Sequence, residues 1–480
     1  MMYLLTLVHR WLGVSCCLLF AMWFASGIVM HFVPFPALTE AERIDGLAPI
    51  DLSRPWRSPA EAVKASAIAA VGRLRLVQRV DGPVYIATGA GTLAAVQAGD
   101  LSDAKVGSDR LALAIAVDHA RSRGLHPTRA VVAELAAYDQ WTVSNGLDPH
   151  RPLYRIALND RPGTELYVSS ATGEVVRDTT RRERRWSYAG SVAHWIYPTA
   201  LRSRPGLWNV TVWTLSLVAL IAAVCGAWLG LARIQSGPYL LASPFTGWHA
   251  WHHALGLGCM TFVLSWIFSG WLSMDSGRLF STGRPSAAVA AMAASPPAWD
   301  ARSTPELQGI SAQAKEVEWF AFGGSLYRRE RVSADSQHLS LRDPAAETSA
   351  PAREFLEPGE IDAFATRLAP GCEKAVVIGN DDAYAIASPM PDGPVYRAVC
   401  GKLWFHIDGA SGAVLEQLDP SRRVYRWLYS ALHTMDVPVL VARPKFRTAL
   451  IVMLCSCGLV FSLTGVVIGW RRMRLHMTRN

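Results

Sequence analysis

The chain has 480 residues, 51 % of them apolar and 18 % charged, with 47 basic against 39 acidic side chains for a net charge of +8. Soluble chains carry about 25 % charged residues, so this composition excludes a disordered polypeptide and argues against a purely water-soluble protein. The excess base flanks apolar windows and forms no stripe on a soluble segment, which favours membrane phosphates over nucleic acid as its partner.

Asp, Glu, Lys and Arg are missing from residues 11–36, 205–232, 234–274 and 448–470. A helix across about 30 Å of hydrocarbon needs roughly 20 such residues, and backbone in lipid must bond to itself. Four membrane-spanning helices are therefore expected. The first window is too long for a cleavable leader, and His31-Phe32-Val33-Pro34-Phe35-Pro36 follows it instead of a small-residue cleavage site. It reads as a retained span. Four spans put both termini and the link 233–248 on one side, and two soluble segments on the other. The short segments hold Arg10, Arg233, Arg471, Arg472, Arg474 and Arg479 with no acidic residue among them, which assigns them to the cytoplasm. Arg202, Arg204, Arg443, Lys445 and Arg447 run against that rule on the outer side, but long segments cross a membrane largely regardless of charge. The expected order is span 1–33, external domain 34–204, span 205–232, cytoplasmic loop 233–248, span 249–274, external domain 275–445, span 446–470 and cytoplasmic tail 471–480.

Both external segments read as α+β. In the first, Ser58-Pro59 opens a helix pattern over 58–70. Alternating runs at 74–80 and 84–87 are joined by Asp81-Gly82, a hairpin turn signal. A helix follows at 108–122, then strands at 153–158 and 166–170. The second segment offers a helix at 358–368 and strands at 375–378 and 403–407, and the Ala/Ser/Pro-rich stretch 286–305 reads as a linker. Six of the eight cysteines lie in the apolar windows, where they act as small hydrophobes. Cys372 and Cys400 lie in a soluble segment and could pair in an oxidising compartment.

Self-comparison finds an internal duplication. His9-x-x-Leu12-Gly13 recurs as His252-x-x-Leu255-Gly256 at an offset of 243, where Ser26-Gly27 also meets Ser269-Gly270. At an offset of 239, Ala171-Thr172-Gly173-Glu174-Val175 meets Ala410-Ser411-Gly412-Ala413-Val414, and His194 meets His433. The same offset matches Arg204-Pro205 with Arg443-Pro444, Gly226 with Gly465, Gly230 with Gly469 and Arg233 with Arg472. Each unit is span, external domain, span, which predicts two pseudo-symmetric pairs of helices. Such symmetry brings His9 to His252 at the cytoplasmic level and His194 to His433 at the external level. Two imidazoles meeting between bundle helices are the arrangement for bis-histidine ligation of a haem.

Other histidines compete for these roles. His249 and His253 flank His252, and either is an alternative ligand. His31 lies 22 residues after His9, about 33 Å along a straight helix. It can serve only the external site, as a ligand or as a packing residue. His119, His126, His150, His338 and His406 read as ordinary surface or packed histidines. Haem propionates need basic partners, for which Arg204 and Arg443 outside, and Arg10, Arg233 and Arg472 inside, are candidates; lipid-phosphate anchoring is the plainer role, above all for 471–479. The cluster Arg181-Arg182-x-Arg184-Arg185 reads as a solvated helix face.

The order His9-Arg10-Trp11-Leu12-Gly13, Ser26-Gly27, Ala171-Thr172-Gly173-Glu174-Val175-Val176, His194 resembles the PepSY-associated transmembrane family over nearly the whole chain. That resemblance implies four transmembrane α-helices with two PepSY-like periplasmic domains, two b-type haems, and an inner-membrane reductase of Gram-negative bacteria that carries electrons to ferric siderophore in the periplasm. The cytoplasmic segments are too short for a G-x-G-x-x-G βαβ unit, so the electron donor is expected to be a separate cytoplasmic protein or a membrane quinol. The alternative is a membrane-anchored PepSY-domain protein that binds peptides or inhibits a protease without redox chemistry. A transporter ranks last, because the spans hold no carboxylate.

Overall fold

The structure, a computed structural model, describes residues 2–89, 91–234, 243–275, 279–293, 299, 309–341, 353–385, 391 and 393–477, with side chains to residue 474. The link 233–248 and the linker 286–305 fall partly outside these residues. The chain divides into two compact units, one of Met1–Phe35, Glu183–Thr282 and Ser421–Asn480, the other of Pro36–Arg182 and Gly283–Pro420.

The first unit holds four apolar helices of 31, 28, 28 and 34 residues, Met2–Phe32, Pro205–Ala232, Gly247–Met274 and Pro444–Met477. Each is long enough to cross a membrane. Pro205 and Pro444 sit at the first helical position, where a missing N–H costs nothing. The fourth helix continues without a break past Trp470 into the expected tail. The helices close a ring in chain order, each packed on the next and the fourth on the first. Small residues let them approach: Ser26, Ser216, Ala219, Ala222 and Ser269 are buried. Phe24 of the first span meets Phe262 and Trp266 of the third, with ring centroids 6.4 and 6.0 Å apart.

The second unit is α+β. Its first half contributes β1 (Arg73–Arg79), β2 (Gly82–Gly89), β3 (Thr92–Gln97), β4 (Val131–Ala136), β5 (Leu153–Ala157), β6 (Glu165–Ser169) and β7 (Val175–Thr179). Its second half contributes β8 (Glu316–Phe322), β9 (Ser325–Arg331), β10 (Gln337–Leu341), β11 (Val376–Ile378), β12 (Val395–Cys400), β13 (Leu403–Asp408) and β14 (Val414–Leu418). The two segments, separate in sequence, share one sheet of order β10-β9-β8-β1-β2-β3, joined by an antiparallel β1–β8 pair with Arg75 opposite Glu318. Two further antiparallel sheets, β4-β5-β6-β7 and β11-β12-β13-β14, take one segment each. The matched motifs at 171–175 and 410–414 form the last hairpin turn of each four-stranded sheet. Gly173 (φ +74°) and Gly412 (φ +68°) adopt the left-handed backbone there.

Apolar alternation explains the packing: Leu74, Leu76, Tyr85, Val96, Val317 and Trp319 share one face of the six-stranded sheet and form a single cluster. The other face carries charge. Glu316 is fully buried and receives Arg43 at 2.7 Å, Arg331 at 3.3 Å and Arg75 at 3.4 Å. Burial would raise the Glu316 carboxyl, but these guanidinium groups hold it well below the ordinary carboxylate range.

Two expectations change in detail. The helix read over 58–70 spans only Pro59–Ala65, because the Ser66 hydroxyl bonds the Val63 carbonyl and Ala67 turns to φ +57°. In the stretch read as a linker, Ala287–Ala293 is a helix anchored by the buried side chain of Val289. Cys372 and Cys400 form a disulfide.

Candidate functional site

The structure brings the repeat-matched histidines together at two levels of the helical unit. His9 and His252 have ring centroids 6.3 Å apart with planes inclined at 38°. His194 and His433 have centroids 6.2 Å apart with planes at 62°. On the third span, 17 residues separate His252 from Ser269, which contacts His433, so the two levels lie about 25 Å apart along that helix.

Backbone irregularities place the outer pair. The helix Arg181–Ser187 runs into a π-helical turn, Tyr188–Val192, just before His194. The helix Pro420–Tyr425 does the same through Arg426–Ala431 before His433. Two residues after each histidine the chain turns left-handed, at Ile196 (φ +50°) and Met435 (φ +52°), positions matched at the 239 offset. A β-branched residue in that region is strained, and such strain collects at functional positions.

Hydrogen bonds fix one tautomer on all four rings. The hydroxyl of Ser269 donates to the Trp266 carbonyl, so the Nδ1–H of His433 must be the donor to Ser269 Oγ at 3.1 Å. Ser26 repeats this between the Trp23 carbonyl and His194 Nδ1, also at 3.1 Å. Thr464 donates to the Phe461 carbonyl and accepts from His252 Nδ1 at 2.9 Å. His9 Nδ1 donates to the Ala222 carbonyl at 3.0 Å. Each Nε2 therefore keeps its lone pair, as ligating imidazoles do when the other nitrogen is tied to an acceptor.

Glycines make room for the rings. A Cβ at Gly226 would lie 2.5 Å from His9 Cε1, and one at Gly270 would lie 3.3 Å from His433 Cε1. At Gly27 and Gly465 it would stand 3.6 Å from His194 and His252. Around the inner pair lies a cavity of about 590 Å³, lined by Gly13, Gly226, Gly230, Gly256, Gly465 and Gly469 together with Phe461, Arg10, Arg233 and Arg472. That volume suits a bound organic group.

The residues fit a porphyrin iron. Two imidazoles that shared one metal through Nε2, with metal–nitrogen bonds of about 2.0–2.1 Å and a centroid about 1.1 Å behind each nitrogen, would have centroids up to roughly 6.3 Å apart. Both pairs match that span. Among the described residues no group of three or more His, Cys, Asp or Glu is poised for a bare metal ion.

The competing histidines are placed differently. His253 donates from Nε2 to the Gly230 carbonyl at 2.9 Å and meets Ser243 Oγ through Nδ1 at 3.0 Å, so both nitrogens are engaged. His249 is exposed at the cavity lining. His31 bonds Thr448 Oγ1 through Nε2 at 3.0 Å. Arg10, Arg233 and Arg472 line the inner cavity, whereas Arg204 and Arg443 are exposed at the starts of the second and fourth spans. Arg447 stands nearer the outer pair, donating to the carbonyl of Thr434 beside His433 at 2.7 Å. Sequence reasoning missed Thr464 and Phe461, named Arg447 only as a charge flanking a span, and matched Ser26 with Ser269 without seeing that they bond the imidazoles.

No curated protein matches the sequence. The family model for the PepSY-associated TM region matches residues 6–473, nearly the whole chain, and the protein belongs to that family.

Proposed function

We propose that the chain is a di-haem reductase of a bacterial inner membrane, carrying electrons across the bilayer to reduce ferric siderophore, Fe(III) to Fe(II), in the periplasm. The observation that supports it most is the pair of histidine couples, both at bis-imidazole spacing and both with Nε2 left to bind. His9 and His252 would hold the inner haem, His194 and His433 the outer one. Bound haem supplies one-electron Fe(III)/Fe(II) chemistry.

The chain's own groups do the rest. Ser26, Ser269, Thr464 and the Ala222 carbonyl orient the imidazoles. Arg10, Arg233 and Arg472 would meet the inner propionates. Along the third span, the buried Val263, Trp266 and Ile267 fill the height between the two levels and exclude water. The arginine-rich short segments and the disulfide support a periplasmic soluble unit. Electrons enter from a cytoplasmic carrier or a quinol. Reduction lowers the charge on iron, so a hard-oxygen chelator loosens its hold.

Purified protein, reduced with dithionite, is expected to show sharp low-spin b-type bands that disappear on adding a ferric chelate. A colourless preparation would favour the peptide-binding or protease-inhibitor reading.

A further inference from the structure

The two halves differ on the outward side of the external histidine pair. His433 is backed by Tyr429, stacked at 5.6 Å with planes 23° apart. Tyr429 meets Tyr425 at 5.4 Å, and Tyr425 meets Phe280 at 5.4 Å. The residues fall at i, i+4 and i+8, on one face of the helix and π turn that lead to His433. Arg422 caps the run, its guanidinium 4.3 Å over the Tyr425 ring. Arg423 is half-buried beside it, and Arg426 pairs with Asp436 at 3.4 Å. Asp275 lies near Tyr425, its carboxylate accepting from the backbone N–H groups of Leu279 and Phe280, and Arg422 also donates to the Ser281 carbonyl at 3.4 Å.

At the matching positions the first half is built differently, its contacting rings (Trp195, Tyr197 and Trp208) lying after His194 instead of on the helix that leads to it. The position matching Tyr429 is Gly190, where a Cβ would lie 3.1 Å from Val29 and 3.2 Å from the Met30 nitrogen, so the first span occupies the space of a ring. The position matching Tyr425 is Trp186, 51 % exposed. His194 is thus backed by a helix and His433 by a chain of rings.

We infer that electrons leave through the second half, along His433, Tyr429 and Tyr425, to an anionic ferric chelate that docks at Arg422. This rests on the di-haem reading. One electron passes from the outer site, whose iron goes from Fe(II) to Fe(III), to the chelate, whose iron goes from Fe(III) to Fe(II); no proton or bond moves. Successive ring contacts at 5.4–5.6 Å give a continuous conjugated path from His433 outward. The guanidinium selects the sign of the acceptor, as charge at a docking face sets encounter.

The test uses the full-length protein, reduced, freed of excess dithionite and mixed in stopped flow with Fe(III)–EDTA, which is anionic, or hexaammineruthenium(III), which is cationic. Tyr429→Leu is expected to slow reoxidation by both at least about tenfold, equal to about 1.4 kcal/mol on the barrier. Tyr429→Phe keeps the ring and restores the rate. Arg422→Gln slows Fe(III)–EDTA alone, and calorimetry with redox-inert Ga(III)–EDTA shows weaker binding to that variant. Trp186→Leu changes neither rate. In the oxidised protein, Tyr429→Leu retains two haems and shifts the outer-site electron paramagnetic resonance signal, since the stacked ring orients His433. Two haems and a wild-type rate in Tyr429→Leu would overturn the ladder alone. A protein without haem would overturn the ladder and the proposed function together.

Discussion

Ser269 Oγ accepts the Nδ1–H of His433 at 3.1 Å while giving its own proton to the carbonyl of Trp266. The arrangement recurs with Ser26, Trp23 and His194, so a hydroxyl one residue before a glycine sets the tautomer of each outer imidazole. Losing such a partner weakens metal affinity by about 10–100-fold. Ser269→Ala is therefore expected to release its outer haem faster to excess apomyoglobin, with the inner haem retained. Equal release from variant and wild type would show that the hydroxyl does not support ligation.

The glycines beside the inner imidazoles give a graded prediction. A methyl at Gly226 would stand 2.5 Å from His9 Cε1, so Gly226→Ala must displace the ring. At Gly465 the same methyl would sit 3.6 Å from His252, an ordinary contact. Gly226→Ala is expected to purify with one haem and Gly465→Ala with two. The reverse order would mean that His9 does not ligate from this position.

In the soluble unit, Glu316 joins strands from both halves through Arg43, Arg75 and Arg331. Removing one member of a buried ion network costs about 3–5 kcal/mol, because the remaining charges are left unpaired. Glu316→Ala is expected to lose that much protection from hydrogen exchange in β1 and β8. Lys105→Ala breaks an exposed pair with Asp103 and should change nothing measurable. Similar exchange in the two variants would contradict this.

His119 carries a pH dependence. Burial, with Arg123, Arg43 and Lys315 nearby, pushes its imidazole down to about 3. The unfolded chain protonates His119 near its ordinary value of about 6.5, before the folded chain does. Stability is thus full above about pH 6.5 and is lost as pH falls toward 3, because the unfolded state binds the extra proton. His119→Leu removes this contribution. The melting temperature of wild type relative to His119→Leu should drop between about pH 7 and pH 4, and a constant difference across that range would refute it.

Much of this was legible in the sequence because the duplication repeats the chemistry as well as the fold. The offsets 243 and 239 pair His9 with His252, His194 with His433, Ser26 with Ser269 and Gly226 with Gly465, and the structure brings each histidine pair into contact. Periodicity located the spans, the 358–368 helix and the Asp81-Gly82 hairpin, since these depend on local patterning. What it could not supply depends on contacts distant in the chain. Antiparallel β1–β8 pairing across 243 residues leaves no local trace. His253 differs from its neighbour His252 in that the Gly230 carbonyl engages its Nε2, a contact the sequence does not reveal. Tyr429 reaches His433 only through the π turn Arg426–Ala431, a backbone irregularity that periodicity does not show.

Haem counting by pyridine haemochrome, on wild type and on single alanine variants of His252 and His433, bears most directly on the central proposal. Two haems per chain are expected in wild type and one in each variant, with different residual spectra because the imidazole planes meet at 38° in one pair and 62° in the other. Wild-type protein without haem, or both variants still holding two, would contradict it.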